Sequence, residues 1–182
     1  MNTCVLLYGI LGDHHSAYNK LIHAFKKYDF DIYCSFNNSV EDENAILFSE
    51  KEHVKDVMCH EVSIPLWIQN MRVERHGDKN KTYINAFHRH MLFMETRNVK
   101  IYNEYIFIDI NDLGFEEVDK VDLAKNILFT NKKYYICNYD VGLIVSMIYH
   151  ELENLYYKGC FFDEHSLIEK SCHNKHIRVQ VK

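Results

Sequence analysis

The stretch Tyr105-Ile106-Phe107-Ile108-Asp109-Ile110-Asn111-Asp112 constrains this chain more than any other. Its first four residues are apolar or aromatic, and polar side chains enter only where a strand of this length should end. In open α/β sheets, ligands bind just beyond the carboxyl ends of the strands, so Asp109, Asn111 and Asp112 stand where a ligand would be handled. The plainer expectation is a strand followed by an Asn/Asp turn, which these side chains favour by bonding to their own backbone. Strand alternation sets Tyr105, Phe107 and Asp109 on one face, with Asn111 continuing it if the strand persists. Two oxygen-bearing side chains on one side, with Asp112 just beyond, suit a hard divalent cation such as Mg²⁺ or Mn²⁺ shared with substrate phosphates.

The surrounding elements alternate. Thr3–Tyr8 is a continuous apolar run stopped by Gly9, as expected of a buried strand. Ser16 is the expected N-cap of a helix over Ala17–Tyr28, whose Ala17, Leu21, Ala24, Phe25 and Tyr28 share one face. Asp31–Phe36 is a second strand ending at Asn37, and the whole has the length of a βαβ unit. A short strand over Ala45–Phe48, a polar helix over Ser49–Met58 and a strand over Glu61–Ile64 are expected next, the last stopped by the single proline, Pro65. Trp67–His76 mixes apolar residues with Arg72 and Arg75, and 77–80 is a turn.

Thr82–Arg97 is a strong helix with Ile84, Phe87, Met91 and Met94 as its stripe and Leu92 flanking it. After the 105–110 strand, Ile127–Phe129 and Tyr134–Cys137 flank the turn Asn131-Lys132-Lys133 as a hairpin. Asp140 is the expected cap of a helix over Val141–Lys158, with Gly159 just past its end. Glu164–His173 is a shorter helix and Ile177–Val181 a half-exposed last strand. Strands alternating with helices predict one layered α/β domain over residues 1–182, with a largely parallel sheet.

Composition narrows the function. A net charge of −5 lacks the basic footprint of a nucleic-acid-binding domain, so no nucleic-acid partner is expected. The six cysteines form no C-x-x-C pair and sit partly inside apolar runs, which suggests a reducing compartment. No run approaches the roughly 18 apolar residues of a membrane helix. Met1–Leu11 lacks a basic leader, so a soluble cytoplasmic protein is expected. Gly9-Ile10-Leu11-Gly12 follows the first strand, where missing Cβ atoms let a nucleotide approach, but it is not G-x-G-x-x-G, and no Walker-type loop occurs. A simple tight turn is the alternative. His88 and His90 point to opposite sides of a helix and cannot share a metal there. His14 and His15 lie in the first loop, and His150, Glu151 and Glu153 belong to a solvated helix face. No nucleophile elbow or catalytic cysteine signature is present.

Leu6-Leu7-Tyr8-Gly9-Ile10-Leu11-Gly12, Tyr18-Asn19-Lys20-Leu21, Tyr28-Asp29-Phe30-Asp31-Ile32-Tyr33 and the helix leading to Tyr105–Leu113 together resemble the small GT-A-like glycosyltransferases of polysaccharide clusters and large DNA viruses. The resemblance implies a three-layer α/β/α sandwich with a Rossmann-like, mixed but mostly parallel sheet. It implies that Gly9, Leu11, Gly12 and Asn37 touch the nucleotide of a nucleotide-sugar donor. Asp109, Asn111 and Asp112 would hold its diphosphate through Mn²⁺ or Mg²⁺. Asp140 or Glu164 would face a glycan or other hydroxyl acceptor, one of them as general base. Two features depart from the family pattern: Asn111 replaces the second carboxylate of D-x-D unless Asp112 substitutes, and Ile108 and Ile110 stand where many relatives carry arginines. Arg72 and Arg75 are further candidates for a phosphate clamp, beside an ordinary surface role. Two other readings stay open, an inactive nucleotide- or glycan-binding protein of the same fold and an interaction domain presenting its many Tyr and Phe.

Overall fold

The computed structural model describes residues 2–71, 78–123 and 125–181. Seven strands form one sheet in the order β3-β2-β1-β4-β6-β5-β7. They are β1 (Asn2–Gly9), β2 (Asp29–Phe36), β3 (Val54–Cys59), β4 (Glu104–Asp109), β5 (Ile127–Thr130), β6 (Tyr134–Cys137) and β7 (Arg178–Val181). β1 pairs in parallel with both β2 and β4, β2 in parallel with β3, and β5 in parallel with β7. Only β6 runs against its neighbours. The fold is a three-layer α/β/α sandwich with a mixed, mostly parallel sheet, as expected.

Alternation along the central strands builds two cores. Cys4, Leu6 and Tyr8 of β1, with Tyr105 and Phe107 of β4, face α4 (Lys79–Val99), α5 (Tyr139–Tyr157) and α6 (Glu164–Asn174). Val5 and Leu7, with Ile106 and Ile108, face α1 (His14–Ala24) and α2 (Glu43–Ser49). Both faces of the central strands are therefore covered, which is why their sequences are continuously apolar. A one-turn helix, α3 (Leu66–Gln69), follows Pro65.

Several expectations shift. α1 begins three residues early, because Asp13 and not Ser16 is the cap: its carboxylate accepts from the backbone N–H groups of His15 and Ser16. Asn138, not Asp140, caps α5 by accepting from Val141 N–H. Residues 45–48, expected as a strand, lie in α2, where Asp42 caps the helix and Ala45 and Phe48 bury one face. The polar helix expected over Ser49–Met58 is replaced by β3, an edge strand whose charged Lys55 and Asp56 obscure its period. Glu61–Ile64 forms no strand. The hairpin of β5 and β6 is as expected, and Gly159 takes the left-handed φ of 78° that closes α5.

The largest revision concerns α4. The face it buries carries Thr82, Asn85, Ala86, His88, Arg89, Leu92, Phe93 and Thr96, whereas Ile84, Phe87, Met91 and Met94 lie at its half-buried flanks. His88 is fully buried, with Nδ1 2.7 Å from Ser35 Oγ of β2. Desolvation, with the nearby His60, lowers its pKa from 6.5 to about 4. The unfolded chain thus binds this proton at a higher pH than the folded one, and acid favours unfolding. The contribution of His88 is complete above pH 6.5 and is lost as pH falls towards 4. A shift of this size corresponds to roughly 3 kcal/mol. Urea midpoints at pH 7 and pH 4.5 should therefore differ less for His88→Gln than for the natural protein, and equal differences would refute this assignment.

Candidate functional site

The carboxyl ends of β1, β2 and β4 open onto one edge of the sheet, where Gly9, Asn37 and Asp109 are brought together. Gly9 O accepts from Asn37 N–H at 2.8 Å. Gly9 has a φ of 117°, and a Cβ there would lie 2.5 Å from Asp109 Oδ1 and 3.0 Å from Asn111 Nδ2. The first glycine of the loop is thus required by the approach of the β4 carboxylate. Gly12, by contrast, has nothing within 4 Å of a Cβ position. Leu11 serves structure: its side chain is buried in the core. Its backbone N–H and carbonyl engage the Asn38 side chain at 2.9 and 3.0 Å, which fixes the loop.

Strand parity holds through Asp109, which is 2% exposed and faces α4. It fails at Asn111, because the chain turns into one 3₁₀ turn over Ile110–Asp112 capped by Asp109 itself. Asp109 Oδ1 accepts from both the backbone N–H and the side-chain Nδ2 of Asn111, each at 2.9 Å. Oδ2 accepts from Asn85 Nδ2 and from Lys81 Nζ, both at 3.0 Å. An ionised carboxylate offers about four lone-pair positions, and here each has a donor. As arranged, Asp109 and Asn111 do not fit the expected divalent cation, and among the described residues no group of three or more His, Cys, Asp or Glu side chains is placed to hold a metal ion.

Asn85 links this carboxylate to a second. The same Nδ2 lies 2.9 Å from Glu164 Oε2. Glu164 Oε1 accepts from Tyr8 OH at 2.7 Å and from Arg89, whose guanidinium also sits over the Tyr8 ring. Arg89 is 1% exposed. Burial pulls its pKa down, but the charge of Glu164 outweighs this and holds it above the ordinary arginine value. Burial, then the charge of Glu164, pushes the Tyr8 hydroxyl well up. Desolvation also lowers the Lys81 pKa, but the hydrogen bond and charge of Asp109, with Asp112 and Glu164 behind, raise it overall.

Two clefts meet at Lys81. One, of about 210 Å³, has Gly9, Ile10, Asn37, Asn85 and Asn111 among its walls. The other, of about 230 Å³, lies among Asp112, Lys132, Lys133, Tyr135, Glu164 and His165. Lys81 and Asp78 border both. Asp112 faces the second cleft, and no hydrogen-bond donor among the described residues reaches its carboxylate. Desolvation and then the charge of Asp109 raise its pKa. Of the expected site residues, Gly9, Asn37, Asp109, Asn111, Asp112 and Glu164 come together. Asp140 does not. β6 runs antiparallel, with Cys137 opposite Tyr105, so the exposed Asp140 follows at the end of the sheet away from Asp109. The expected clamp residues Arg72 and Arg75 lie outside the described residues.

Lys81, Asn85 and Arg89 were not among the expected site residues. Their i, i+4, i+8 spacing places them in one stripe along α4, but polar residues at that spacing ordinarily mark a solvated face. His150, expected on a solvated helix face, meets His90 Nε2 to Nε2 at 3.2 Å between α5 and α4.

No protein-family model and no curated protein matches the chain. Among the solved structures that share its fold, two illustrate the likeness. One is a provisionally assigned nucleotide-diphospho-sugar transferase from Desulfovibrio desulfuricans G20, with a TM-score of 0.53 and 4% identity, covering 99% of this chain and 79% of that one. The other is the apo-form glycosyltransferase GlyE of Streptococcus pneumoniae TIGR4, with a TM-score of 0.51 and 11% identity. This chain is covered over 99% of its length there and spans 45% of that protein. At these identities the likeness shows the fold.

Two substitutions test the network. Glu164→Gln leaves Arg89 buried without its counter-charge and should cost about 3–5 kcal/mol in urea unfolding. A loss below about 1 kcal/mol, the range of exposed pairs, would refute the buried-pair assignment. Gly9→Ala forces a side chain against Asp109 at a left-handed φ and should lower the melting temperature, whereas Gly12→Ala should not. Equal melting temperatures for the two variants would sink the close-approach argument.

Proposed function

We propose that this protein is a glycosyltransferase that moves a sugar from a UDP- or GDP-linked donor to a glycan or other hydroxyl acceptor. One observation carries the reading: two clefts meet at Lys81, beyond the carboxyl ends of the parallel strands. Glycosyl transfer has this division, with a nucleotide on one side, an acceptor on the other and a diphosphate between them. The fold shared with a nucleotide-diphospho-sugar transferase and a glycosyltransferase adds support.

In this reading the cleft beside Gly9 and Asn37 takes the nucleotide, and the cleft beside Asp112 and Glu164 takes the acceptor. Glu164, tied to Arg89, Tyr8 and Asn85, forms a fixed wall. Asp112 is the better proton acceptor, since no donor among the described residues engages its carboxylate and its raised pKa makes it more basic than an ordinary aspartate. The engagement of both Asp109 and Glu164 favours a second reading, a protein of this fold that binds nucleotide or glycan without transferring sugar.

Release of nucleoside diphosphate from a panel of UDP- and GDP-sugars, with and without hydroxyl acceptors, separates the two. Transfer should slow as pH falls through the Asp112 pKa, which lies above the ordinary carboxylate value. Asp112→Asn should lower kcat by roughly 10²–10⁴-fold, the usual scale of general-base loss. An unchanged kcat removes Asp112 from the mechanism, and diphosphate binding without any release favours the second reading.

A further inference from the structure

The D-x-N sequence at the end of β4 and the lysine facing it make one arrangement. Asn111 occupies the place of a second carboxylate, yet it acts as a donor, giving both its backbone and side-chain N–H groups to Asp109. An aspartate there would set a second anion against Asp109 at the 2.9 Å now spanned by a hydrogen bond. The remaining oxygen, Oδ2, is taken by Asn85 and by the Lys81 ammonium at 3.0 Å. A divalent cation binding Asp109 would have to displace that ammonium or share the carboxylate with it. The Lys81 side chain remains 45% exposed, and it borders both clefts. An ammonium carries three donors, and Asp109 uses one.

We propose that Lys81 does in this protein what a divalent cation would do: held by Asp109 at the junction of the clefts, its ammonium binds the donor's diphosphate and stabilises it as it leaves. This rests on the nucleotide-sugar reading above. In the transfer step the acceptor oxygen bonds to the anomeric carbon while the bond from that carbon to the diphosphate oxygen breaks. The electron pair departs with the diphosphate, where Lys81 meets the growing negative charge, and the acceptor's proton passes to Asp112. A fixed positive group aimed at developing charge stabilises a transition state as a bound metal does. Lys132 and Lys133, on the wall of the second cleft, add positive charge to the same region.

Calorimetric titration with UDP and with GDP, in EDTA and in MnCl₂, tests this on the natural protein and on Lys81→Ala and Lys81→Arg. The natural protein should bind at least one of the two diphosphates with the same Kd in EDTA and in MnCl₂. Lys81→Ala should weaken that binding about ten- to a hundredfold, the scale of a hydrogen bond to a charged group, with Lys81→Arg retaining most of it. Binding by the natural protein that requires MnCl₂, or an unchanged Kd in folded Lys81→Ala, overturns the proposal and leaves the nucleotide reading standing. Binding of neither diphosphate under either condition overturns both. Because the comparison of EDTA with MnCl₂ uses the natural protein, it holds even if a variant misfolds.

Discussion

Arg89 lies inside the helical layer, and the carboxylate that balances it belongs to the first turn of α6, 75 residues further along the chain. A buried guanidinium costs several kcal/mol in lost hydration, roughly, unless a partner and further hydrogen bonds replace the water. Here Glu164 supplies the charge, Tyr8 adds a hydroxyl to Glu164 and a ring face to Arg89, and Asn85 fastens the other carboxylate oxygen. α6 is thereby tied to α4 and to β1 by polar contacts in addition to the apolar core. The same Asn85 reaches Asp109, so the position of the strand-end carboxylate depends on an ion pair it does not touch.

That dependence explains where the sequence was readable. The central strands β1, β2 and β4 are buried on both faces, and continuous apolar runs bounded by Gly9 or by Asn and Asp leave little ambiguity. The hairpin of β5 and β6 and the helices α5 and α6 were also clear, because turn residues and a regular apolar stripe agree there. The edge was not. Residues 43–59 exchange helix and strand relative to expectation because Ala45–Phe48 is too short for its period to decide. β3, for its part, carries edge charges that hide its alternation. Asp140 was misplaced for a topological reason: its sequence context resembles a strand end leading into a helix, but nothing local says that β6 runs backwards.

The site itself was half legible. Gly9 and the 109–112 cluster were read from strand ends, which report only where a chain leaves the sheet, and Asn37 and Glu164 from the resemblance. Lys81, Asn85 and Arg89 were hidden by the ordinary rule that polar side chains on a helix face water. In α4 the rule inverts, since the helix turns its polar stripe inward, and the apolar Ile84, Phe87, Met91 and Met94 lie along its flanks. Such an inversion is costly unless the main buried polar groups find partners on other elements. Those partners, Ser35, Asp109 and Glu164, are distant in sequence.

The same reasoning changes what Asp109 and Asn111 signify. Read as a motif, D-x-N looks like a D-x-D that has lost an oxygen ligand and with it much of its affinity for a cation. Read with Lys81 opposite, it is a charge-matched set: one carboxylate, one ammonium, and an amide whose N–H groups serve the carboxylate where a second anion would repel it. Two carboxylates placed at that spacing need a shared proton or a cation between them. One carboxylate and an amide need only a single positive charge, and α4 supplies it from the third residue of the helix. Asn111 and Lys81 are therefore parts of one electrostatic arrangement, and neither is interpretable alone. Placing aspartate at 111 without removing Lys81 would set a second anion against Asp109 where an amide now donates, so the two positions are energetically coupled across 30 residues of sequence.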